Sequence, residues 1–347
     1  MNKTNKIKLG ISIGDFNGIG IEVVLKTFQD KRMLDFCTPI VFGNTKLLSA
    51  YKSKTNIATQ INGLNEIEKA VPNKLNSLNI WKDDVKLKLG IPTKQSGKYA
   101  FKSLEAATNA LVEGKIDVLV TAPISKDNIQ SEEFNFAGHT EYLDAKIEGD
   151  SLMILMTNEI KIGLITGHIP ISQVSQTITP ELIKSKVQIM HKALIEDFGI
   201  NKPKIALLSL NPHCGDNGVI GNEDAEVVKP TIEEIKNNNC LVFGPYAADS
   251  FFGTENYRNF DGVLAMYHDQ GLAPFKTLAF GGGVNYTAGL EAIRTSPDHG
   301  TAYEIAGKNK ANFNSFREAV FSGIKIFETR KQYKELVKNV LKPVDRK

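Results

Sequence analysis

Short apolar segments alternate along most of the chain with longer segments in which apolar residues recur at helical spacing. This alternation predicts repeated strand–helix–strand units and a mostly parallel sheet, so the predicted fold class is α/β. The predicted strands are Lys8–Ile13, Pro39–Phe42, Asp117–Thr121, Lys161–Thr166, Lys204–Leu210 and Gly262–Tyr267.

Three segments have the periodicity and end signals of helices: Gly20–Thr27, Ser103–Glu113 and Pro180–Phe198. The second has a serine at its start and Gly114 just past its end, as helix capping predicts. The third begins with proline, and Gly199 is its stop signal.

Two further segments are predicted to lie on the surface. Residues 53–79 are polar and weakly periodic, which predicts a variable surface region. The basic tail from Arg330 to Lys347 predicts a final helix with a solvated face.

The 347 residues fit two α/β domains, or one domain with a large second lobe. The net charge of +3 is spread along the chain and gives no indication of a nucleic-acid-binding surface. Cys37, Cys214 and Cys240 form no CxxC pair, which favours a reducing compartment. The chain starts without a signal-peptide pattern and has no apolar run near the roughly 20 residues that span a bilayer. We therefore expect a soluble, cytoplasmic protein with no membrane partner.

Three of the six histidines share one context, because His168, His213 and His268 each lie at or just past the end of a predicted strand. Ligands bind at that edge of open parallel sheets, and three imidazoles there could hold one divalent metal. Loop histidines are more often simple hydrogen-bonding or surface residues, and the spacing matches no local metal motif. Both interpretations stay open at this point. His191 lies inside a predicted helix and is expected to be structural.

Polar groups in four other segments are candidates for ligand binding. The segment 14–20 is a glycine-rich turn after the first strand, but it is not GxGxxG and is equally a simple turn. His139 and Thr140 offer an imidazole and a hydroxyl, although Thr140 also suits a helix cap. Lys276, Asn285 and Arg294 surround a glycine-rich segment and suit a phosphate or carboxylate, although each alone is typical of a surface. The loop 298–312 has backbone donors for an adenosine or a phosphate.

Together these segments resemble the 4-hydroxythreonine-4-phosphate dehydrogenase family, and the resemblance covers essentially the whole chain. The motifs that carry it are GDFNGIGIE (14–22), TAPISK (121–126), GHTE (138–141), TGHIPI (166–171), LNPHCGDNG (210–218), AMYHDQG (265–271), GVNYTAGL (283–290) and IRTSPDHGTA (293–302). The string from His299 to Asn312 also resembles the cofactor loop of isocitrate and isopropylmalate dehydrogenases. Phe16 and Ile21 stand where the family has prolines, and Gly282 stands where some relatives have arginine.

The resemblance implies a two-lobed α/β/α fold like that of isopropylmalate dehydrogenase, with a cleft between the lobes. Residues 1–130 and 280–347 would form the first lobe, with both termini and the cofactor loop. Residues 131–279 would form the second lobe, with the metal ligands and the interface of a homodimer. The active site would be shared across that interface.

The resemblance also implies roles for individual residues. The metal ligands would be His168 and His213 of one subunit with His268 of the other. The substrate-binding residues would be His139, Thr140, Lys276, Asn285 and Arg294. The cofactor-binding residues would be His299, Gly300, Thr301 and Asn312.

The implied reaction is the NAD- or NADP-linked oxidation of 4-phosphohydroxy-L-threonine at C3. Decarboxylation to 3-amino-2-oxopropyl phosphate would follow, in vitamin B6 synthesis. One divalent ion per site (Zn, Mg, Co or Mn) would assist both steps. Lys276 and Asp269 are the candidate proton acceptors because both lie near His268 in sequence. Asp249 is a candidate for orienting a ligand.

Two other functions remain open. A dehydrogenase of a four-carbon acid-sugar phosphate, of the erythronate or threonate 4-phosphate type, would use the same named residues. A zinc hydrolase is less favoured, because none of the three histidines has a glutamate beside it in sequence and because the HGTA string resembles a cofactor loop. A non-catalytic binding protein is the least favoured, because every polar position expected for catalysis is filled.

Overall fold

The structure is a computed structural model that describes residues 6–237 and 240–338. In these residues the strands are β1 (Ile7–Ser12), β2 (Cys37–Gly43), β3 (Ile61–Leu64), β4 (Leu75–Asn79), β5 (Val118–Thr121), β6 (Gly149–Met156), β7 (Lys161–Leu164), β8 (Lys204–Leu208), β9 (Leu241–Tyr246), β10 (Gly262–Ala265), β11 (Val284–Leu290) and β12 (Arg294–Pro297).

The α-helices of the same residues are α1 (Gly20–Thr27), α2 (Met33–Phe36), α3 (Thr45–Thr55), α4 (Lys94–Val112), α5 (His139–Asp144), α6 (Ile171–Thr177), α7 (Pro180–Glu196), α8 (Lys229–Asn237), α9 (Ala248–Gly253), α10 (His268–Ala279) and α11 (Asn314–Val337). None of them is both long enough and apolar enough to cross a membrane.

All the strands belong to one sheet in the order β3-β4-β2-β1-β5-β12-β11-β6-β7-β10-β8-β9. Neighbouring strands are parallel except in the middle, where β11 is antiparallel to β12 and β6, and β6 is antiparallel to β7. The parallel strands on the two sides of this centre therefore run in opposite directions. Their carboxyl ends consequently lie at opposite edges of the sheet.

Helices cover both faces because successive strand side chains point to opposite sides. On β10, Leu264 packs in the same core cluster as Met190 of α7, while Val263 and Ala265 pack with Phe275 of α10. These five side chains are almost completely buried. The alternation explains why β10 is a continuous apolar run in the sequence, as expected for a parallel strand buried on both faces.

Each of the six predicted strands is present, with ends that differ by up to two residues from the prediction. Helices α1 and α7 are also confirmed, and Thr179 caps α7 by accepting a hydrogen bond from the backbone of Leu182.

Two predictions from local pattern were wrong. Helix α4 begins at Lys94, because Thr93 and Ser96 form its capping box, and Ser103 lies inside the helix. The Ser103 hydroxyl is buried, where it donates to the carbonyl of Phe42 and accepts from the amide of Ile13. Residues 53–79 are not simply a surface region, since they contain β3 and β4 at one end of the sheet.

The final helix is confirmed as far as Val337, and residues 339–347 lie outside the described residues. The first residue of the predicted basic tail is not solvated. Arg330 is largely buried, with Nε donating to Oδ1 of Asp197 at 2.6 Å and Nη2 donating to the hydroxyl of Tyr286 at 2.9 Å. Arg330, which was predicted to lie in a solvated basic tail, therefore holds α11 against the sheet.

Candidate active site

A cavity of about 230 Å³ lies against the central strands, between α5, α10 and the loops that follow β5, β7 and β12. Helix α10 runs along it, and His268, Leu272 and Lys276 all line it. These residues are four apart, so they share one face of the helix. The helix thereby joins a histidine at one edge of the sheet to a lysine about 12 Å further along the helix axis.

The structure brings most of the predicted site residues together around this cavity. The lining residues include all five expected to bind substrate, two of the expected metal ligands and two of the expected cofactor residues: His139, Thr140, Lys276, Asn285, Arg294, His168, His268, His299 and Gly300. Five other predicted residues do not line it: His213, Asp249, Asp269, Thr301 and Asn312.

The imidazoles of His168 and His268 lie with their ring centroids 5.3 Å apart. Nδ1 of His168 is 3.0 Å from Oε1 of Glu141, and Nδ1 of His268 is 2.6 Å from Oδ1 of Asp269. An ionised carboxylate only accepts hydrogen bonds, so Nδ1 carries the proton in both rings. In the neutral rings Nε2 is then the nitrogen with a free lone pair. Carboxylate-bound histidines of this kind are typical metal ligands.

Within one chain, the three histidines expected to bind metal do not come together. His168 pairs with His268, whereas His213 lies apart in an exposed turn, Pro212–Gly215, with a φ of +52°. Strand β10 lies between β7 and β8, so the loop with His213 leaves the sheet on the far side of His268. In the part of the chain that the structure describes, no three His, Cys, Asp or Glu side chains form a metal-binding group.

Arg294 is buried in the cavity wall, with 2 % of its surface exposed. Its guanidinium donates to the Thr121 hydroxyl at 3.0 and 2.7 Å and to the Thr287 hydroxyl at 3.2 Å. Three of its five N–H donors are thus accounted for. No carboxylate of the described residues forms an ion pair with it. Burial lowers the pKa of Arg294 to about 9, so the group is still a cation at neutral pH.

Two cavity histidines are neutral at neutral pH. Loss of solvent, followed by the nearby cations Arg294 and Lys126, holds the pKa of His139 well below its usual value. Burial also lowers the pKa of His299. Nδ1 of His299 lies 3.0 Å from the carbonyl of Gly300, which only accepts, so Nδ1 carries the proton and Nε2 is unprotonated.

Several buried polar atoms around the cavity have no hydrogen-bond partner among the described residues. They are Nε2 of His139, Oε2 of Glu141, Oδ1 of Asn285 and Nε2 of His299. Buried polar groups are nearly always hydrogen-bonded, and leaving one unpaired costs about 1–3 kcal/mol. Four such atoms around one cavity indicate that a polar ligand completes the site.

Two acids of the cavity, Glu141 and Asp298, had no role predicted from the sequence. The hydrogen bond from His168 lowers the pKa of Glu141, which keeps the group ionised. Asp298 accepts from Nζ of Lys276 at 2.9 Å, and a side chain at Gly283 would collide with its carboxylate. Both acids lie inside motifs of the family, GHTE and IRTSPDHGTA. Their place in these motifs is the sequence signal that could have identified them.

The turn at residues 14–20 is a structural junction and does not line the cavity. The side chain of Asp15 is fully buried and accepts hydrogen bonds from Ser96, Asn128 and Tyr303 and from the backbone of Asn17. Gly14 has a φ of +64° and no room for a side chain beside the carbonyl of Pro123.

The departures from the family motifs have little effect on the cavity. Phe16 and Ile21, which stand at the proline positions, are buried in the core, and Gly282 does not line the cavity.

Comparisons with known proteins show the family of this chain. Residues 35–322 match the model of the family described as "Pyridoxal phosphate biosynthetic protein PdxA". A 4-hydroxythreonine-4-phosphate dehydrogenase of Bacteroides thetaiotaomicron is 49% identical over 340 residues, which cover 97% of this chain and 93% of the relative. The crystal structure of a 4-hydroxythreonine-4-phosphate dehydrogenase of Klebsiella pneumoniae matches with a TM-score of 0.79 at 30% identity. That match covers 94% of this chain and 99% of the other.

The fold and the cavity define a dehydrogenase with the isopropylmalate dehydrogenase-like fold. Within that class, the chain belongs to the PdxA family of pyridoxal phosphate biosynthetic proteins. It is an oxidoreductase that acts on a CH–OH group with an NAD-type cofactor.

Proposed function

We propose that the chain oxidises 4-phosphohydroxy-L-threonine at C3 with NAD or NADP and then decarboxylates the product to 3-amino-2-oxopropyl phosphate. The observation that carries this proposal is Arg294, a buried guanidinium with free donors beside a pair of histidines. A buried cation without a carboxylate is costly, and a phosphate or carboxylate of the substrate offsets that cost. Names of the most similar relatives support the choice of substrate.

The cavity contains groups for both ends of a phosphorylated hydroxy acid. Arg294, Lys276, His139, Thr140 and Asn285 supply cations and neutral donors for the anionic groups. In 3-hydroxy acids, oxidation at C3 yields a β-keto acid, whose carboxylate leaves as carbon dioxide. The hydride at C3 passes to the nicotinamide, and the acceptor of the C3 hydroxyl proton is Lys276 or Asp269. Lys276 is bound to Asp298, and Asp269 to His268.

One divalent ion per site would be held by His168, His268 and His213, and zinc, magnesium, cobalt and manganese are the candidates. The fit is supported by the two carboxylate-bound imidazoles, whose Nε2 atoms have free lone pairs. When bound, such an ion favours loss of the C3 hydroxyl proton and stabilises the charge left by decarboxylation.

The separation of His213 from the other two histidines supports a homodimer in which each site takes His213 from the partner. Exposed apolar side chains lie close in sequence to the histidines: Ile171 is 71% exposed, Val219 81% and Ile220 41%. An interface that brings His213 to the site of the partner would cover these side chains. In this proposal the partner contributes His213, whereas the family motifs implied that the partner contributes His268.

The loop from His299 to Asn312 is the proposed cofactor site. His299 and Gly300 line the cavity, where a nicotinamide must approach C3, and Thr301 lies against the β1–α1 turn.

Residues 1–130 with 280–347 form the proposed first lobe, and residues 131–279 form the second. The three free cysteines fit the reducing cytoplasm as the site of action.

A second candidate substrate is a four-carbon acid-sugar phosphate without the amine. A relative in Oceanobacillus iheyensis, whose name provisionally assigns D-threonate 4-phosphate dehydrogenase activity, is 34% identical over 327 residues. Those residues cover 93% of this chain and 98% of the relative. The side chains named above would bind both substrates, so they do not distinguish the two candidates.

The test is turnover of 4-phosphohydroxy-L-threonine and of D-threonate and D-erythronate 4-phosphates side by side, with NADH and carbon dioxide measured together. We expect one carbon dioxide per NADH with the amino substrate, and a lower kcat/KM with the other two. A chelator should abolish turnover and a divalent ion should restore it. Faster turnover of an amine-free substrate would favour the second candidate, and full activity without metal would refute the metal site.

A further inference from the structure

Glu141 is a residue with two different surroundings for its two carboxylate oxygens. Oε1 accepts a hydrogen bond from Nδ1 of His168 at 3.0 Å. Oε2 is buried and has no partner among the described residues. The side chain as a whole lines the substrate cavity. One oxygen is therefore used within the chain, and the other is available to a ligand.

We propose that Glu141 links the metal site to the substrate: Oε1 positions His168, and Oε2 binds the amino group at C2 of the substrate. The proposal rests on the proposed oxidation of 4-phosphohydroxy-L-threonine and names the residue that recognises its amine.

The positioning role follows from the hydrogen bond. A carboxylate on Nδ1 fixes both the tautomer and the orientation of an imidazole, so that Nε2 presents its lone pair in one direction. Without that bond the His168 ring is free to rotate or to carry its proton on Nε2. Either change removes a ligand that the metal site needs.

The binding role follows from what a carboxylate oxygen can accept. An ionised carboxylate has no hydrogen to donate, so the ligand atom opposite Oε2 must be a donor. The phosphate and carboxylate of the substrate are acceptors, and the C3 hydroxyl loses its proton during oxidation. The C2 ammonium is the donor that lasts through the reaction.

The charges around Glu141 favour the same assignment. Arg294 and Lys126 line the same cavity and suit the anionic groups of the substrate. Glu141 and Asp298 are the acids that line the cavity, and Asp298 is already paired with Lys276. Glu141 is therefore the cavity acid that is not paired with a lysine, and it is available to bind the ammonium of a substrate that also has two anionic groups.

The first experiment measures metal binding alone. Metal-free wild type, E141Q and E141D are titrated with Zn²⁺ against a chelating indicator, with E181Q on the exposed start of α7 as the matched control. We expect about a 10–100-fold loss of affinity in E141Q, no change in E181Q, and a smaller loss in E141D, which keeps the charge. Wild-type affinity in E141Q would overturn the positioning role.

The second experiment compares substrates at saturating metal. E141Q should lose roughly tenfold or more in kcat/KM for the amino substrate relative to the amine-free D-threonate 4-phosphate, the size of one charge-assisted hydrogen bond. Equal losses for both substrates would overturn the binding role. If wild type turned over neither substrate, the proposed function itself would fail, while the metal titration would still decide the role of Oε1.

Discussion

His168 and His268 lie with their ring centroids 5.3 Å apart in a single chain, and His213 does not join them. The two rings belong to neighbouring parallel strands, β7 and β10, at the edge where both strands end. A third histidine ligand for an ion held by these two rings would have to come from elsewhere. A second copy of the chain with its own His213 is the source that we propose.

A mixing experiment tests this division of ligands. Inactive H168A and H213A chains are unfolded together and refolded. In a mixed dimer one site receives both defects and the other receives none, as two-fold symmetry requires. Random pairing makes about half of the dimers mixed, so about a quarter of wild-type activity should return.

The matched control is a mixture of H168A and H268A. Because these two residues share a chain, every site in the mixed dimer keeps one defect, and activity should not return. Recovery in this control and none in the first mixture would reverse the assignment. Mass spectrometry should show that mixed dimers formed in both cases.

Replacement of Arg294 by lysine should weaken binding of the phosphorylated substrate. Lysine keeps the charge but loses the planar fork that bonds the Thr121 and Thr287 hydroxyls and leaves donors for an anion. We expect KM to rise roughly tenfold, the equivalent of about 1.4 kcal/mol, and orthophosphate to raise Tm less than in wild type. R258K, at an exposed ion pair, is the control. An unchanged KM would place the anion away from Arg294.

The stability of the protein should depend on pH through His139. Its pKa in the folded state lies well below the unfolded value of about 6.5, so below that pH the unfolded chain binds more protons. Stability is therefore complete above about pH 6.5 and falls as the pH decreases. The loss is up to about 1.4 kcal/mol per pH unit for this group.

Urea unfolding at pH 7.5 and pH 5 measures this effect in wild type and in H139Q. The loss of stability between the two pH values should be smaller in H139Q, because glutamine does not titrate. An equal loss in both proteins would show that His139 is not held neutral in the folded state.

Replacement of Tyr303 by phenylalanine should destabilise the fold by about 1.5–3 kcal/mol, the usual range for a hydrogen bond to a charged group. Its hydroxyl donates to Oδ2 of the fully buried Asp15 at 2.9 Å and ties the proposed cofactor loop to the β1–α1 turn. Y333F on α11 is the control. If the free energy of unfolding falls no more in Y303F than in Y333F, the hydrogen bond to Asp15 does not contribute to stability.

Much of the fold was determined by local sequence signals. Apolar runs such as 262–267 predict strands that are buried on both faces, and β10 is such a strand. Glycine and proline signals placed the start of α7 correctly and its end to within two residues. Local signals did not predict β3, β4, β6, β9, β11 or β12, nor the start of α4. In β3, β4 and α4 those signals are polar. Thr93 caps α4 through Ser96, and Asn76 of β4 is buried by bonding to the backbone.

The residue types of the site were also determined by the sequence, since the motifs contain most of the residues that line the cavity, although not Lys276. Which of them meet was decided by the tertiary structure. The antiparallel strands β6 and β11 reverse the direction of the sheet, so residues that follow strands in the two halves do not share an edge. Helix α10 bridges that distance with His268 and Lys276 on one face. The order β7-β10-β8 pairs His168 with His268 and separates His213, because strand order depends on long-range packing that no local pattern encodes.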